Sequence, residues 1–237
     1  MNMVKRTWAE ISLNAIEHNY NVIRNKVADD TKVCCVIKAD GYGHGAVELS
    51  QIYEKLGADF FAVSNIDEGI EIREAGAKLP IVILGFTPAN EAKRLSEYNI
   101  SQAVYSLEYA KMLSKACCEQ NVVCKIHIKV DTGMRRIGLE PDENGIAIVK
   151  QITALKELSA DGIFTHFAAS DETDKTSAEH QFKLFTDFTG RLEKEGIHFT
   201  YRHCANSAAV IDMPQVDLDM VRLGSKKKRW NYSQRWI

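Results

Sequence analysis

The stretch VCCVIKADGYGHGAVELSQIYEKLGADFFAV, residues 33–63, decides the fold. Val33 to Ile37 is a short apolar run rich in β-branched residues, the pattern of a buried strand. After a glycine-rich loop, Ala46, Leu49, Ile52 and Leu56 recur at helical spacing with charged residues between them, and Phe60 to Val63 starts a second apolar run. Strand, helix and strand in such short order predict a parallel crossover unit. The glycines at 41, 43 and 45 sit at the wrong offsets for a dinucleotide fingerprint, and no GKS/T ending follows for a P-loop.

The same alternation continues outward. Further apolar runs occupy Ile81 to Leu84, Ala103 to Tyr105, Val122 to Val130, Gly162 to Phe164, Phe199 to His203 and Leu218 to Leu223. Helical spacing returns at Ile146, Val149, Ile152 and Leu155, and at Phe182, Phe185, Phe188 and Leu192. Eight strand-helix units in roughly 220 residues predict an α/β fold, a closed (β/α)8 TIM barrel. An open doubly wound sheet is the other architecture that such alternation allows.

Composition agrees with a folded globular chain: 237 residues, 45% hydrophobic, 26% charged, with 14 glycines and 4 prolines. The formal net charge of −2 gives no general basic field for nucleic acid or a membrane surface, so a small-molecule partner is expected. The start, MNMVKRTWAEI, has no apolar stretch behind its charges, and no apolar run reaches the roughly 18 residues of a membrane span. A cytoplasmic protein is expected. Cys34, Cys35, Cys117, Cys118, Cys124 and Cys204 lack the spacing of a metal site and read as buried small hydrophobes in a reducing compartment.

Residues 225–237, SKKKRWNYSQRWI, break the pattern with five basic residues and no acid, leaving 25 basic against 32 acidic residues in positions 1–224. The expected organisation is one domain over 1–224 and an atypical basic tail over 225–237, a disordered end or non-native addition, too short for a nucleic-acid or lipid-binding reading to lead. Strong salt-dependent nucleic-acid binding lost on deleting that tail is what such a reading needs.

In a barrel, chemistry gathers after the strands, where the βα loops converge. Lys38 ends the first strand and opens the glycine loop, Lys129 and Arg136 flank the end of the fifth, His166 follows the sixth, Asn206 and Ser207 follow the seventh, and Arg222 to Gly224 end the eighth. A lysine buried at the end of an apolar strand has a depressed pKa and a free amine for Schiff-base chemistry, although a lysine whose head reaches water produces the same sequence. Tyr42 reads equally as an exposed loop aromatic, Arg136 as a surface arginine beside Arg135, and His166 as a satisfied histidine at a strand end. The combination is more informative than any member.

That combination resembles the alanine racemases. Val-Ile-Lys38-Ala-Asp-Gly-Tyr42-Gly-His-Gly looks like their pyridoxal-phosphate lysine motif. In the family's order follow Lys129-Val-Asp-Thr-Gly-Met-Arg-Arg136-Ile-Gly, Thr-His166-Phe-Ala-Ala-Ser-Asp, His-Cys-Ala-Asn206-Ser207 and Asp-Met-Val-Arg222-Leu-Gly224, with Trp8-Ala-Glu-Ile-Ser-Leu-Asn before them all. The resemblance spans residues 4 to about 224. It implies a PLP-dependent isomerase of fold type III that interconverts L- and D-alanine for peptidoglycan precursors, with alanine as small-molecule partner and a homodimer as the family's assembly.

Roles then follow by resemblance. Lys38 holds pyridoxal 5'-phosphate and serves as the base on one face of the substrate. Tyr42 and Ser207 bind the phosphate, with backbone N–H groups of Ser207, Gly224 and Ser225 beside them, and Asn206 belongs to the same cofactor site. Arg222 faces the pyridine nitrogen, where an arginine donates a hydrogen bond without protonating the ring, and His166 orients Arg222 from behind. Arg136 reaches the cofactor's phenolic oxygen and the substrate carboxylate. Lys129 resembles the lysine that some members carbamylate to pair with that arginine.

The chain departs from the family pattern after Gly224. Alanine racemases continue into a β domain that supplies, from the partner subunit, a tyrosine as the opposite-face base. The expectation is a barrel whose last helix is incomplete, an N-terminal strand around Trp8 to Leu13 left without its usual partner, and a polypeptide that by itself is a poor racemase. A single-domain barrel that binds pyridoxal phosphate for cofactor handling is the alternative, and the Lys129-to-Arg136 and Arg222 motifs favour the racemase.

Overall fold

A computed structural model describes residues 10–224. Eight strands run in chain order as β1 (Lys32–Val36), β2 (Phe60–Val63), β3 (Ile81–Ile83), β4 (Ile100–Val104), β5 (Cys124–Lys129), β6 (Leu158–Phe164), β7 (Tyr201–His203) and β8 (Met220–Leu223). Each pairs in parallel with its neighbour from β7 back to β1, and β1 pairs with β8. The seam between β7 and β8 is held by Asp219 N–H donating to Arg202 O at 3.2 Å and Arg222 N–H donating to Ala205 O at 3.0 Å. The Arg202 guanidinium clamps the Asp219 carboxylate across the same seam at 2.8 Å. The sheet thus curls into the expected barrel rather than the open alternative.

The first helix, α1 (Leu13–Arg24), precedes β1, and Ser12 caps it by accepting from Ala15 N–H. This corrects the expected strand around Trp8 to Leu13: Leu13 opens a helix, and Trp8 lies outside the described residues. The tail over 225–237, with Ser225 and the expected loss of the final helix, also lies outside them. Between strands come α2 (Lys38–Gly43), α3 (Ala46–Lys55), α4 (Ile66–Glu74), α5 (Ala92–Glu97), α6 (Leu107–Gln120), α7 (Glu143–Thr153), α8 (Thr176–Lys194) and α9 (Ser207–Asp212). No helix among the described residues is long and apolar enough to cross a membrane.

Two apolar regions follow from strand alternation. Outward-facing Val33, Cys35, Phe61, Val63, Ile81, Ile83, Ile126 and Ile128 pack against the helices with Leu113, Val149, Phe185 and Phe188. Inward-facing Cys34, Phe60, Ala62, Val82 and Met220 fill the barrel. Five cysteines are buried as expected, whereas Cys118 is exposed near the end of α6.

Strand β6 carries a bulge that the sequence conceals. Ile126 pairs with Ala160 but His127 pairs with Gly162, so Asp161 is an extra residue. A side-chain alternation of period two reverses phase across one inserted residue. Leu158 therefore packs outward with the helices, as does Ile163, while Phe164 turns inward beneath the cavity. The bulge also sets Gly162 against the His127 ring, where a Cβ would lie 2.4 Å from Nδ1. Gly162→Ala is expected to overpack the barrel and cost about 1–3 kcal/mol; urea unfolding of the variant at wild-type midpoint would contradict this contact.

Candidate active site at the C-terminal mouth of the barrel

The residue order places Lys38 one position beyond Ile37, directly after β1, in a turn of unusual hand. Ala39, Asp40, Gly41 and Tyr42 have φ of 50°, 51°, 60° and 57°, so α2 is a single left-handed turn. L-residues with a Cβ pay roughly 1–2 kcal/mol each for that conformation, and the surroundings offset it. Gly41 needs no room for a side chain that would collide with Leu49 Cδ1 at 2.5 Å. Asp40 accepts from Ala46 N–H at 2.8 Å, and the Glu68 carboxylate bridges Ala39 N–H at 2.9 Å and Ser64 N–H at 2.7 Å. The peptide following Lys38 is thereby tied to the end of β2. The turn leaves Tyr42 half out of the surface, with a hydroxyl raised in pKa by burial and by Glu68.

At the opposite side, Asn206 caps α9 by accepting from Ala208 N–H at 3.1 Å and Ala209 N–H at 3.0 Å, and it accepts from the Ser170 hydroxyl at 2.8 Å. The Ser207 hydroxyl donates to Gly224 O and accepts from Gly224 N–H, both at 2.9 Å. A Cβ on Gly224 would stand 3.1 Å from the Tyr42 hydroxyl, so the bare glycine leaves space where these two segments meet.

Arg222 is buried to 3% exposure on β8. Its Nη1 donates to His203 Nδ1 at 2.7 Å, and its Nη2 reaches Thr165 O at 2.8 Å, Cys204 O at 3.2 Å and His166 Nδ1 at 3.3 Å. These acceptors engage one Nη1 hydrogen and both on Nη2, leaving the Nε–H and one Nη1–H. His166 is half-buried and its pKa is pushed down to about 3, by burial first and then by Arg222, Arg136, Lys129 and Lys38. It is a neutral acceptor toward the guanidinium.

Lys129 ends β5 and is 3% exposed, donating to Val130 O at 2.6 Å and lying 5.7 Å from the Phe164 ring centroid. Its pKa falls to about 8, because burial outweighs the nearby Asp131 and because Arg222 and Arg136 repel a further cation. Arg136 sits in the loop after β5 and is exposed; it lines the cavity, while neighbouring Arg135 does not.

Lys38, Tyr42, Lys129, Arg136, His166, Asn206, Ser207, Arg222 and Gly224 all line one cavity of about 650 Å³. Sequence reasoning assigned no role to several groups that hold this set in place: His203, Thr165, Glu68 and Asp131. One signal was available. Lys125, His127 and Lys129 alternate with Ile126, Ile128 and Val130, and of that polar face His127 and Lys129 are buried while Lys125 is exposed.

Over residues 11–226 the chain matches the family described as alanine racemase, N-terminal domain. It is 43% identical to an alanine racemase of Desulforamulus reducens over 94% of this chain and 60% of that protein. Identity to an alanine racemase of Clostridium perfringens is 44%, over 93% of this chain and 57% of that protein. Among solved structures, alanine racemase of Clostridium difficile in complex with cycloserine superposes with a TM-score of 0.91 at 38% identity, covering 94% of this chain and 61% of that one. The Bacillus anthracis enzyme with bound L-Ala-P gives 0.88 at 29% identity, covering 94% and 58%. The chain thus spans about 60% of the length of the relatives it matches.

The loop that carries Arg136 is anchored by Asp131, whose carboxylate accepts from Gly133 N–H at 2.9 Å and from Arg135 and Arg136 N–H at 3.0 Å. Burial raises its pKa, but these N–H groups and the Lys129 ammonium outweigh burial and hold it below the ordinary carboxylate value. A depressed native pKa contributes stability above the unfolded value of about 3.9 and loses it as pH falls through the native one. Asp131→Asn is expected to cost about 1–3 kcal/mol at neutral pH, with the gap to wild type closing in acid; a gap that persists unchanged at the lowest pH where the protein stays folded contradicts the assignment.

Proposed function

The chain belongs to the alanine racemase family, as its N-terminal domain, and from that premise we propose that this barrel binds pyridoxal 5'-phosphate and forms one half of a site that interconverts L- and D-alanine. The observation that carries the reading is the convergence of groups from β1, β5, β6, β7 and β8 on one cavity. Its residues fit the cofactor. Lys38 and Arg222, whose guanidinium keeps two N–H groups without a protein partner, line a space of suitable size, and the gap over Gly224 is one that a Cβ would fill.

When bound, the cofactor supplies an electron sink that makes the α-proton of an amino acid removable. Lys38 would hold it covalently and take or return that proton on one face, and the braced turn after Lys38 fixes the backbone from which its side chain starts. Tyr42, Ser207 and Gly224 would hold the phosphate, with Asn206 fixing Ser207 through the α9 cap. Arg222 would donate to the pyridine nitrogen without surrendering a proton, since a guanidinium stays cationic. His166 would keep it oriented. Arg136 would reach the substrate carboxylate as a planar multidonor. The opposite-face base, and the second subunit expected to supply it, belong in this reading to the part of the relatives' length that this chain does not span. The reading includes a reducing, cytoplasmic setting, in keeping with cysteines that are all unpaired.

Lys129 has a further place in it. With its pKa at about 8, a sizeable fraction of the amine is neutral in mild base. A neutral amine attacks carbon dioxide, forming an N–C bond while one C=O electron pair moves to oxygen and a proton leaves the nitrogen. The product carbamate is an anion beside Arg136 and Arg222, and it replaces a repulsion with an attraction.

Two measurements test this. Borohydride treatment of the protein mixed with pyridoxal phosphate is expected to fix the cofactor on Lys38, with a visible absorbance band lost on reduction; equal labelling of Lys38→Ala would sink the cofactor reading. Separately, protein equilibrated with 13C-labelled bicarbonate at mildly basic pH is expected to show a carbamate resonance that Lys129→Ala lacks, and a spectrum identical for both proteins removes the modification.

A further inference from the structure

Two buried histidines of the barrel interior, His127 on β5 and His203 on β7, take no part in the chemistry above, yet they connect to it. Both are essentially inaccessible, at 1% and 0% exposure. Arg222 Nη1 lies 2.7 Å from His203 Nδ1, and His203 Nε2 lies 2.9 Å from His127 Nδ1. A guanidinium has only donors, so His203 Nδ1 must present its lone pair, and a neutral imidazole with a bare Nδ1 carries its proton on Nε2. That proton faces His127 Nδ1, which therefore accepts, and His127 is in turn protonated on Nε2. Arg222 at one end and the bare His127 Nδ1 at the other favour the same direction for the whole series.

The surroundings keep both rings neutral and in place. Burial and the Arg222 cation push the His127 pKa down to about 3 and that of His203 well below its ordinary value. His203 stacks on Phe164 with centroids 4.9 Å apart, and His127 stacks on Tyr201 at 6.2 Å with Phe60 edge-on at 6.3 Å. The terminal His127 Nε2–H meets no hydrogen-bond partner among the described residues. An unmet buried N–H is costly, so an aliphatic or phenyl side chain would serve better here if packing were the whole task.

We infer that His127 is a positioning residue for Arg222: by accepting from His203 Nε2–H it locks His203 in the one tautomer that can accept from the guanidinium, and so holds the remaining Arg222 N–H groups toward the cavity. The opposite tautomer of His203 sets an N–H against a guanidinium N–H. Only the consequence for cofactor binding rests on the reading proposed above; the tautomer lock belongs to the protein itself.

The test begins with 15N NMR of histidine-labelled protein without cofactor, where protonated and bare ring nitrogens resonate far apart. His127 and His203 are expected to be neutral Nε2–H tautomers from about pH 5 to 8, and a bare Nε2 or a protonated ring at either position overturns the proposal. His127→Asn offers Oδ1 where Nδ1 stood and is expected to preserve the His203 tautomer and the affinity for pyridoxal phosphate. His127→Leu leaves the His203 Nε2–H unmet, so a share of His203 is expected to give up the Arg222 bond and take the Nδ1–H form, while the dissociation constant for pyridoxal phosphate rises roughly tenfold. A His127→Leu protein with a single Nε2–H form of His203 and unchanged affinity also overturns it. If the leucine variant does not fold, the wild-type and asparagine spectra decide. Correct tautomers in a wild-type protein that fails to bind pyridoxal phosphate leave the lock standing and refute the cofactor reading instead.

Discussion

A guanidinium buried at the mouth of a barrel is the constraint around which the rest is arranged. Taking a cation out of water is affordable only when its donors are met, and Arg222 meets two backbone carbonyls and two imidazoles drawn from the ends of β6 and β7. The His203 and Cys204 contacts cross the β7–β8 seam, the one neighbouring pair joined by isolated hydrogen bonds rather than a named ladder, and those to Thr165 and His166 reach on to β6. Satisfying the charge and closing the barrel are therefore coupled. The bulge at Asp161 belongs to the same arrangement, because without its phase reversal Phe164 would face the helices and His203 would lose the ring it stacks on.

The Lys38 turn solves a different problem, that of aiming one amine. A right-handed continuation of β1 into a helix would carry the residues after Lys38 in another direction; the left-handed turn stores strain that Glu68, Asp40 and the Gly41–Leu49 contact hold in check. Strain of this kind persists only where its surroundings over-determine it. The lysine is thus mounted on a braced element although it lies outside any strand.

Much of this was legible in the sequence, for reasons that can be named. Strands β2 and β3, and β1 from Val33 onward, are unbroken apolar runs, since strands of a parallel barrel are covered on the outside and filled within, and the helices at 46–55, 143–153 and 176–194 have clear apolar faces. All nine candidate residues converge because each lies at or shortly after the C-terminal end of a strand in a fold whose loops share one face. The first half of β6 escaped notice because Ser159 and Asp161 at the bulge dilute its apolar pattern, and the expected strand began only at Gly162. Leu13 was expected in a strand on resemblance alone, whereas Ser12 carries a helix-capping signature that the local sequence did supply. His203 and Glu68 were passed over because their roles are contacts across 19 and 29 residues of chain, which no local pattern encodes.

The choice of neutral imidazoles beneath Arg222 has an electrostatic consequence for the cavity. A carboxylate in the place of His203 would satisfy the guanidinium equally well as a hydrogen-bond acceptor, but it would cancel its charge. Histidines kept neutral by burial hold the arginine while leaving its field intact. Lys38, Lys129, Arg136 and Arg222 then line the cavity against a single carboxylate, Asp171. An excess of cations in a partly enclosed space draws anions and raises their local concentration. Such a cavity suits a phosphate-bearing cofactor and a carboxylate-bearing substrate at once. The depressed pKa of Lys129 comes first from its burial, and the neighbouring Arg222 and Arg136 add to it.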